Sequence, residues 1–100
     1  MNPSTVVDSV QTFIPVGSHN DGLAISSAVA LTKPAGATKL RIQALTQNIR
    51  YTLNGTTPTS SKGFQLKAGD PPITLHIAGG VTVTVIEESA TADMQYQFGS

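Results

Sequence analysis

The chain of 100 residues has no cysteine and no tryptophan, and only 12% of its residues are charged and 5% aromatic. Without cysteine it can form no disulfide, thiolate nucleophile, iron–sulfur cluster or cysteine-bearing zinc site. Two histidines are its whole supply of imidazole. Six Lys plus Arg balance six Asp plus Glu, so the positive footprint of a binder of nucleic-acid phosphates or of an anionic membrane is missing. Low charge of no net sign also leaves little repulsion between copies, which favours a homo-oligomer or docking onto a larger assembly. No run approaches the roughly 20 apolar residues that span a bilayer. Met1-Asn2-Pro3-Ser4 has neither the basic nor the apolar part of a secretory signal, so the expectation is a chain made soluble in the cytoplasm. A Walker loop, dinucleotide fingerprint, nucleophile elbow and zinc signature are all absent. The expectations are no enzymatic activity, no cofactor, no nucleic-acid partner and no membrane partner.

What is present points to sheet. The composition is 39% hydrophobic, with thirteen Thr and nine Ser, which favours strands on the Thr side and turns on the Ser side. Leu40, Ile42 and Ala44 alternate with Arg41 and Gln43, and Ile49, Tyr51 and Leu53 alternate with Arg50 and Thr52, as half-buried strands require. Thr46-Gln47 shifts the phase between these runs, so they are expected as neighbouring strands or one bent strand. Ile73, Leu75 and Ile77 are followed by Val81, Val83 and Val85, with Gly79-Gly80 between them. That predicts a hairpin whose glycines take positive backbone dihedrals. Phe64 and Leu66 predict a short strand, and 68–72, with its two prolines, a turn at a sheet edge. Met94, Tyr96 and Phe98 predict a last strand. Residues 12–16 read as an extended edge carrying Pro15. Residues 23–32 fit strand or helix; the alternation of Ala28, Ala30 and Thr32 with Val29 and Leu31 favours strand, and 33–36 then form a turn.

Seven or eight short strands spaced about 8 to 12 residues apart predict an all-β antiparallel two-sheet sandwich, jelly-roll-like or immunoglobulin-like. Residues 1–10 lack a bulky apolar pattern and read as an N-terminal arm, with 11–100 as the single sandwich domain.

Few residues suggest chemistry. His19 lies in a Gly-rich loop beside Asp21, but a metal site needs three or four ligands and His76 is far along the chain. His76 is out of phase with its apolar neighbours and reads as a surface imidazole. Glu87 and Glu88 are adjacent, which sends them to opposite faces of a strand and suits a salt bridge better than paired catalysis. Asp70, before two prolines, is expected to accept backbone hydrogen bonds in its turn. Asn54-Gly55-Thr56 matches a glycosylation acceptor, but without a secretory signal the same three residues read as a hairpin tip. Asn54, Gly55, Gly79 and Gly80 are the predicted turn formers. Arg41 and Arg50 are expected on sheet faces, meeting a partner or covering apolar surface with their stems. The contact candidates are Phe13, Ile14, Arg50, Tyr51 and Phe98; for the four apolar ones the alternative place is the core.

The run Gln47-Asn48-Ile49-Arg50-Tyr51-Thr52-Leu53-Asn54-Gly55-Thr56-Thr57-Pro58-Thr59, preceded by Pro34-Ala35-Gly36-Ala37-Thr38 and Arg41-Ile42-Gln43-Ala44 and followed by Gly63-Phe64-Gln65-Leu66-Lys67-Ala68-Gly69-Asp70-Pro71-Pro72, resembles a group of small β-sandwich virion structural proteins of tailed bacteriophages. That group includes head decoration, or cement, proteins. The resemblance covers roughly 31–89. It implies a capsid decoration protein that stabilises the shell by binding between subunits, with the major capsid protein or other virion subunits as partners and the virion as location. Residues 49–59 also resemble a hairpin of immunoglobulin-like modules attached to chitobiases, although Leu53-Asn54 departs from that motif at two positions. The alternative it implies is a carbohydrate-binding or adhesion module.

Overall fold

Alternation decides which side chains the strands bury, and the chain uses it to build two facing sheets. The computed structural model describes residues 12–79 and 81–100. The expected arm, 1–10, and Gly80 lie outside the described residues. Sheet A contains β1 (Asn20–Ala24), β8 (Asp93–Gly99), β3 (Lys39–Ala44) and β6 (Ile73–His76), in the order β1-β8-β3-β6. Sheet B contains β2 (Val29–Ala30), β7 (Thr84–Glu87), β4 (Ile49–Thr52) and β5 (Phe64–Leu66), in the order β2-β7-β4-β5. Every strand pair is antiparallel.

The order is regular in a telling way. First pairs with last, β2 with β7, β3 with β6 and β4 with β5, as in one long antiparallel hairpin rolled up until its halves face each other. This is the eight-strand, double-sheet plan of a jelly roll. An immunoglobulin sandwich instead splits its strands ABED against CFG, so strand order decides between the two expected variants.

The roll corrects two expected neighbour relations. The run 40–44 lies in sheet A and 49–52 in sheet B, so the phase shift at Thr46-Gln47 marks a crossing between sheets. Thr46 Oγ1 pins that crossing by donating to Asp93 Oδ1 at 2.8 Å or to Thr91 O at 3.0 Å. Likewise β6 and β7 lie in opposite sheets and form no hairpin. The turn between them exists, closed by the Val81 N–H on Ala78 O at 3.1 Å. Gly79 does not take the positive φ expected of it, because the turn turns a corner and does not reverse a ladder. The register of β7 also begins at Thr84, beyond the predicted start at Val81.

Residues 23–32 contain no helix. They divide into β1 and β2 across a bend at Ser26-Ser27, again between sheets. Residues 12–16 run along the C-terminal end of β8, on the side that β1 pairs with at 93–96: Ile14 and Ser100 exchange hydrogen bonds at 2.9 and 2.8 Å, and the Val16 N–H donates to Phe98 O at 2.9 Å. Pro15, which has no N–H to give, fits this edge position.

Between the sheets lies one core. Ile25, Leu40, Ile42 and Met94 meet Ile49 and Val85, all fully buried. Each such side chain contributes about 1.5–3 kcal/mol by leaving water. The opposite face of sheet A is polar, and it carries the site described next.

Candidate functional site

Because β3 turns Leu40, Ile42 and Ala44 inward, it turns Lys39, Arg41 and Gln43 outward. The register sets Arg41 between Thr74 and Gln97, and Gln43 opposite Gln95. Residues opposed across antiparallel strands share a face, so these side chains meet. Gln95 Nε2 donates to Gln43 Oε1 at 2.6 Å, and Gln43 Nε2 donates to Asp70 O at 3.1 Å. His19 Nε2 stands 3.2 Å from Gln95 Oε1. The result is a belt of hydrogen-bonded polar groups from β1's approach to the 67–72 turn. Gln97 Nε2 lies within hydrogen-bond distance of the carbonyls of Val16, Gly17 and Phe98, which ties the incoming chain to β8.

Phe13 forms a wall above this floor. Its ring lies over Gly99, where an added Cβ would come within 2.5 Å of Phe13 Cζ, so only a glycine lets the ring approach the backbone so closely. The Arg41 guanidinium lies over the ring, 4.3 Å from its centroid, and its Nε donates to Thr74 Oγ1 at 3.0 Å. Lys39 Nζ donates to Thr12 O and fastens the start of the same segment. Together Phe13, His19, Arg41, Gln43, Gln95 and Gln97 line most of a trough of about 450 Å³.

The opposite sheet has a different feature. Arg50 Nε donates to Glu88 Oε2 at 2.5 Å and Arg50 Nη1 to Gly63 O at 3.0 Å, while Gln65 Nε2 donates to the same Glu88 oxygen at 2.8 Å. This cluster joins β4, β5 and the end of β7. The Gln65 amide first, and then Arg50, hold the Glu88 carboxyl below its usual range. Next to it, edge strand β5 exposes Phe64, at 61%, beside a hollow of about 530 Å³ lined by Leu53 and Asn54.

The predicted residues fall in three places. Tyr51 and Phe98 are 8% and 4% exposed and belong to the core, and burial pushes the Tyr51 phenol up. Their rings offer no contact surface. Phe13 and Arg41 join the trough, Arg50 joins the ion pair, and Ile14 is 57% exposed. Asn54 and Gly55 do turn the chain: Asn54 Oδ1 accepts from the Thr56 N–H at 3.1 Å and Gly55 has φ +82°. They are not a hairpin tip, however, because β4 reaches β5 only after a second turn closed between Thr59 and Lys62. Asp70 enters its turn through its own N–H, which donates to Lys67 O at 3.2 Å. His19 faces the trough, whereas His76 is exposed opposite Lys39 on β6.

The three glutamines and Phe64 were not singled out by sequence. Their signal was parity: Gln43, Gln95 and Gln97 each sit out of phase with buried neighbours.

In comparison with known proteins, the chain matches no protein-family model, no curated protein and no solved structure. Its chemistry rests on its own residues.

Proposed function

We propose that this chain is a structural accessory protein of a phage particle, a decoration or cement protein that binds between shell subunits and stabilises the shell. The observation that carries the proposal is the rolled strand order β1-β8-β3-β6 over β2-β7-β4-β5, a plan that viral capsid domains use. That support comes from architecture. Two surface features add to it. Ile14 beside sheet A and Phe64 on the edge of sheet B are large apolar side chains left mostly in water, and apolar groups at the centre of a patch are what interfaces bury. Among the described residues the backbone of β5 has only β4 as neighbour, and an outer edge left so can pair with another chain. Zero net charge removes long-range repulsion between close-packed copies.

On a shell, several weak contacts act together through effective concentration, and binding only the assembled state raises the free energy of dissociation. Particles of the encoding phage provide the test. Mass spectrometry of purified virions is expected to find the chain in amounts comparable to the shell subunit, and particles lacking it are expected to lose their genome at lower temperature. Absence from the virion, together with a monomer in light scattering that does not sediment with empty shells, would reject the proposal.

A further inference from the structure

The trough on sheet A has walls that define what it would hold. Among the described residues that line it, Arg41 is the one Lys or Arg and none is acidic. In a chain whose charges balance overall, this concavity has a cation that no carboxylate among the described lining residues neutralises. The Arg41 guanidinium is also oriented in advance. Phe13 lies under it and Thr74 accepts from Nε, which fixes the plane of the fork, and a fork held this way suits a carboxylate bidentately.

The floor selects a second property. Primary amides donate and accept at adjacent atoms, and those of Gln43 and Gln95 are held in place by each other, by Asp70 O and by His19. Hydroxyl groups also donate and accept, so a hydroxyl-rich ligand matches an amide floor where a hydrocarbon or a bare anion does not. The volume of about 450 Å³ falls within the range of roughly 300–1,000 Å³ usual for small-molecule sites.

We propose that the trough binds an acidic saccharide, with Arg41 pairing with its carboxylate and the Gln43, Gln95 and Gln97 amides taking its hydroxyls. The site uses the outer face of sheet A; of the contacts proposed for a shell, Phe64 and the β5 edge lie apart from it and Ile14 adjoins it, and a titration of the free chain needs no shell. Each proposal can fail alone.

The test is a titration of the isotopically labelled full chain, followed by NMR, with digalacturonic acid, neutral galactobiose and acetate. Digalacturonic acid is expected to give saturable shifts at Arg41 and the three glutamines, with galactobiose and acetate each binding at least about tenfold more weakly, the scale of losing one charge-assisted pair or the amide contacts. Arg41→Met is expected to weaken the acid about tenfold and leave galactobiose unchanged. The proposal is overturned if digalacturonic acid gives no saturable shift at these residues, if galactobiose binds equally well, or if acetate does. It is also overturned if a folded Arg41→Met protein binds as before. Should that variant not fold, the comparison of the three ligands on the unaltered chain decides.

Discussion

Sheet A and sheet B enclose the same core yet fasten their outer faces by opposite means. In sheet A the long strands β3 and β8 pair from Lys39↔Gly99 to Ala44↔Met94, and the cross-strand links among Gln43, Gln95 and the Asp70 carbonyl are neutral. In sheet B the strands are shorter, and a charged knot of Arg50, Glu88 and Gln65 ties three of them. Neutral amides keep their hydrogen bonds across the pH range, whereas a carboxylate loses its charge in acid. The Arg50–Glu88 pair therefore makes the fastening of sheet B depend on charge, whereas the Gln43–Gln95 link across sheet A does not.

The largest effects test whether the sheets share one core. Ile42 in sheet A and Ile49 in sheet B are both fully buried. Ile42→Ala and Ile49→Ala are each expected to cost about 2–5 kcal/mol in denaturant unfolding, with single transitions. If one variant gave two transitions, the sheets would be separate folding units and the comparison would be one between domains. Gly99→Ala comes next. Its Cβ would meet Phe13 and stand 3.0 Å from Ile14 O, so the 12–16 segment is expected to lose hydrogen-exchange protection at Ile14 and Val16 while the core amides keep theirs.

These expectations rest on pairings that the sequence showed only in part. Alternation in 40–44, 73–77 and 94–98 tells which residues face inward, and the fold class follows. It reads the same whether the next strand lies alongside or crosses to the facing sheet, which is why 73–77 and 81–85 suggest a hairpin they do not form. The trough was less legible still. Arg41 could be placed on an outer face, but its contact with Phe13 depends on residues 12–16 running along β8, and the belt of glutamines depends on β3 lying beside β8. Both are consequences of the roll, and no local pattern carries them.

Smaller effects sharpen the contrast between fastenings. Arg50→Met removes the bonds to Glu88 and to Gly63 O and is expected to lower the melting midpoint by about 5 °C; Gln95→Ala, which removes a neutral, half-buried link, is expected to lower it less. The pH dependence has a definite sign. Glu88 titrates lower in the folded chain than its usual value of 4.5, so the unfolded chain takes up its proton first. The stabilisation is fully present above the unfolded value and is lost as pH falls through the folded one. Melting curves of the unaltered chain and of Glu88→Gln are thus expected to differ at neutral pH and to converge in acid. A difference that persists unchanged in acid would remove charge from the account of sheet B.

The smallest effect on stability separates folding from association. Phe64 touches Tyr51 with ring centroids 5.5 Å apart and a tilt of 40°, but most of its surface is in water. Phe64→Ser is therefore expected to cost less than about 1 kcal/mol of stability. Its effect on binding is expected to be larger than that, because an exposed ring on an open edge gains its burial only when a partner covers it. Lys62 and Lys67 flank this edge and are themselves exposed, and edge lysines oppose unspecific strand pairing. A partner on β5 must accommodate both charges as well as the ring. Sedimentation with shells at matched concentrations of the unaltered chain and Phe64→Ser reads this directly: reduced binding with an unchanged melting midpoint assigns sheet B's edge to the shell, and equal binding leaves Ile14, beside sheet A, as the apolar contact to test.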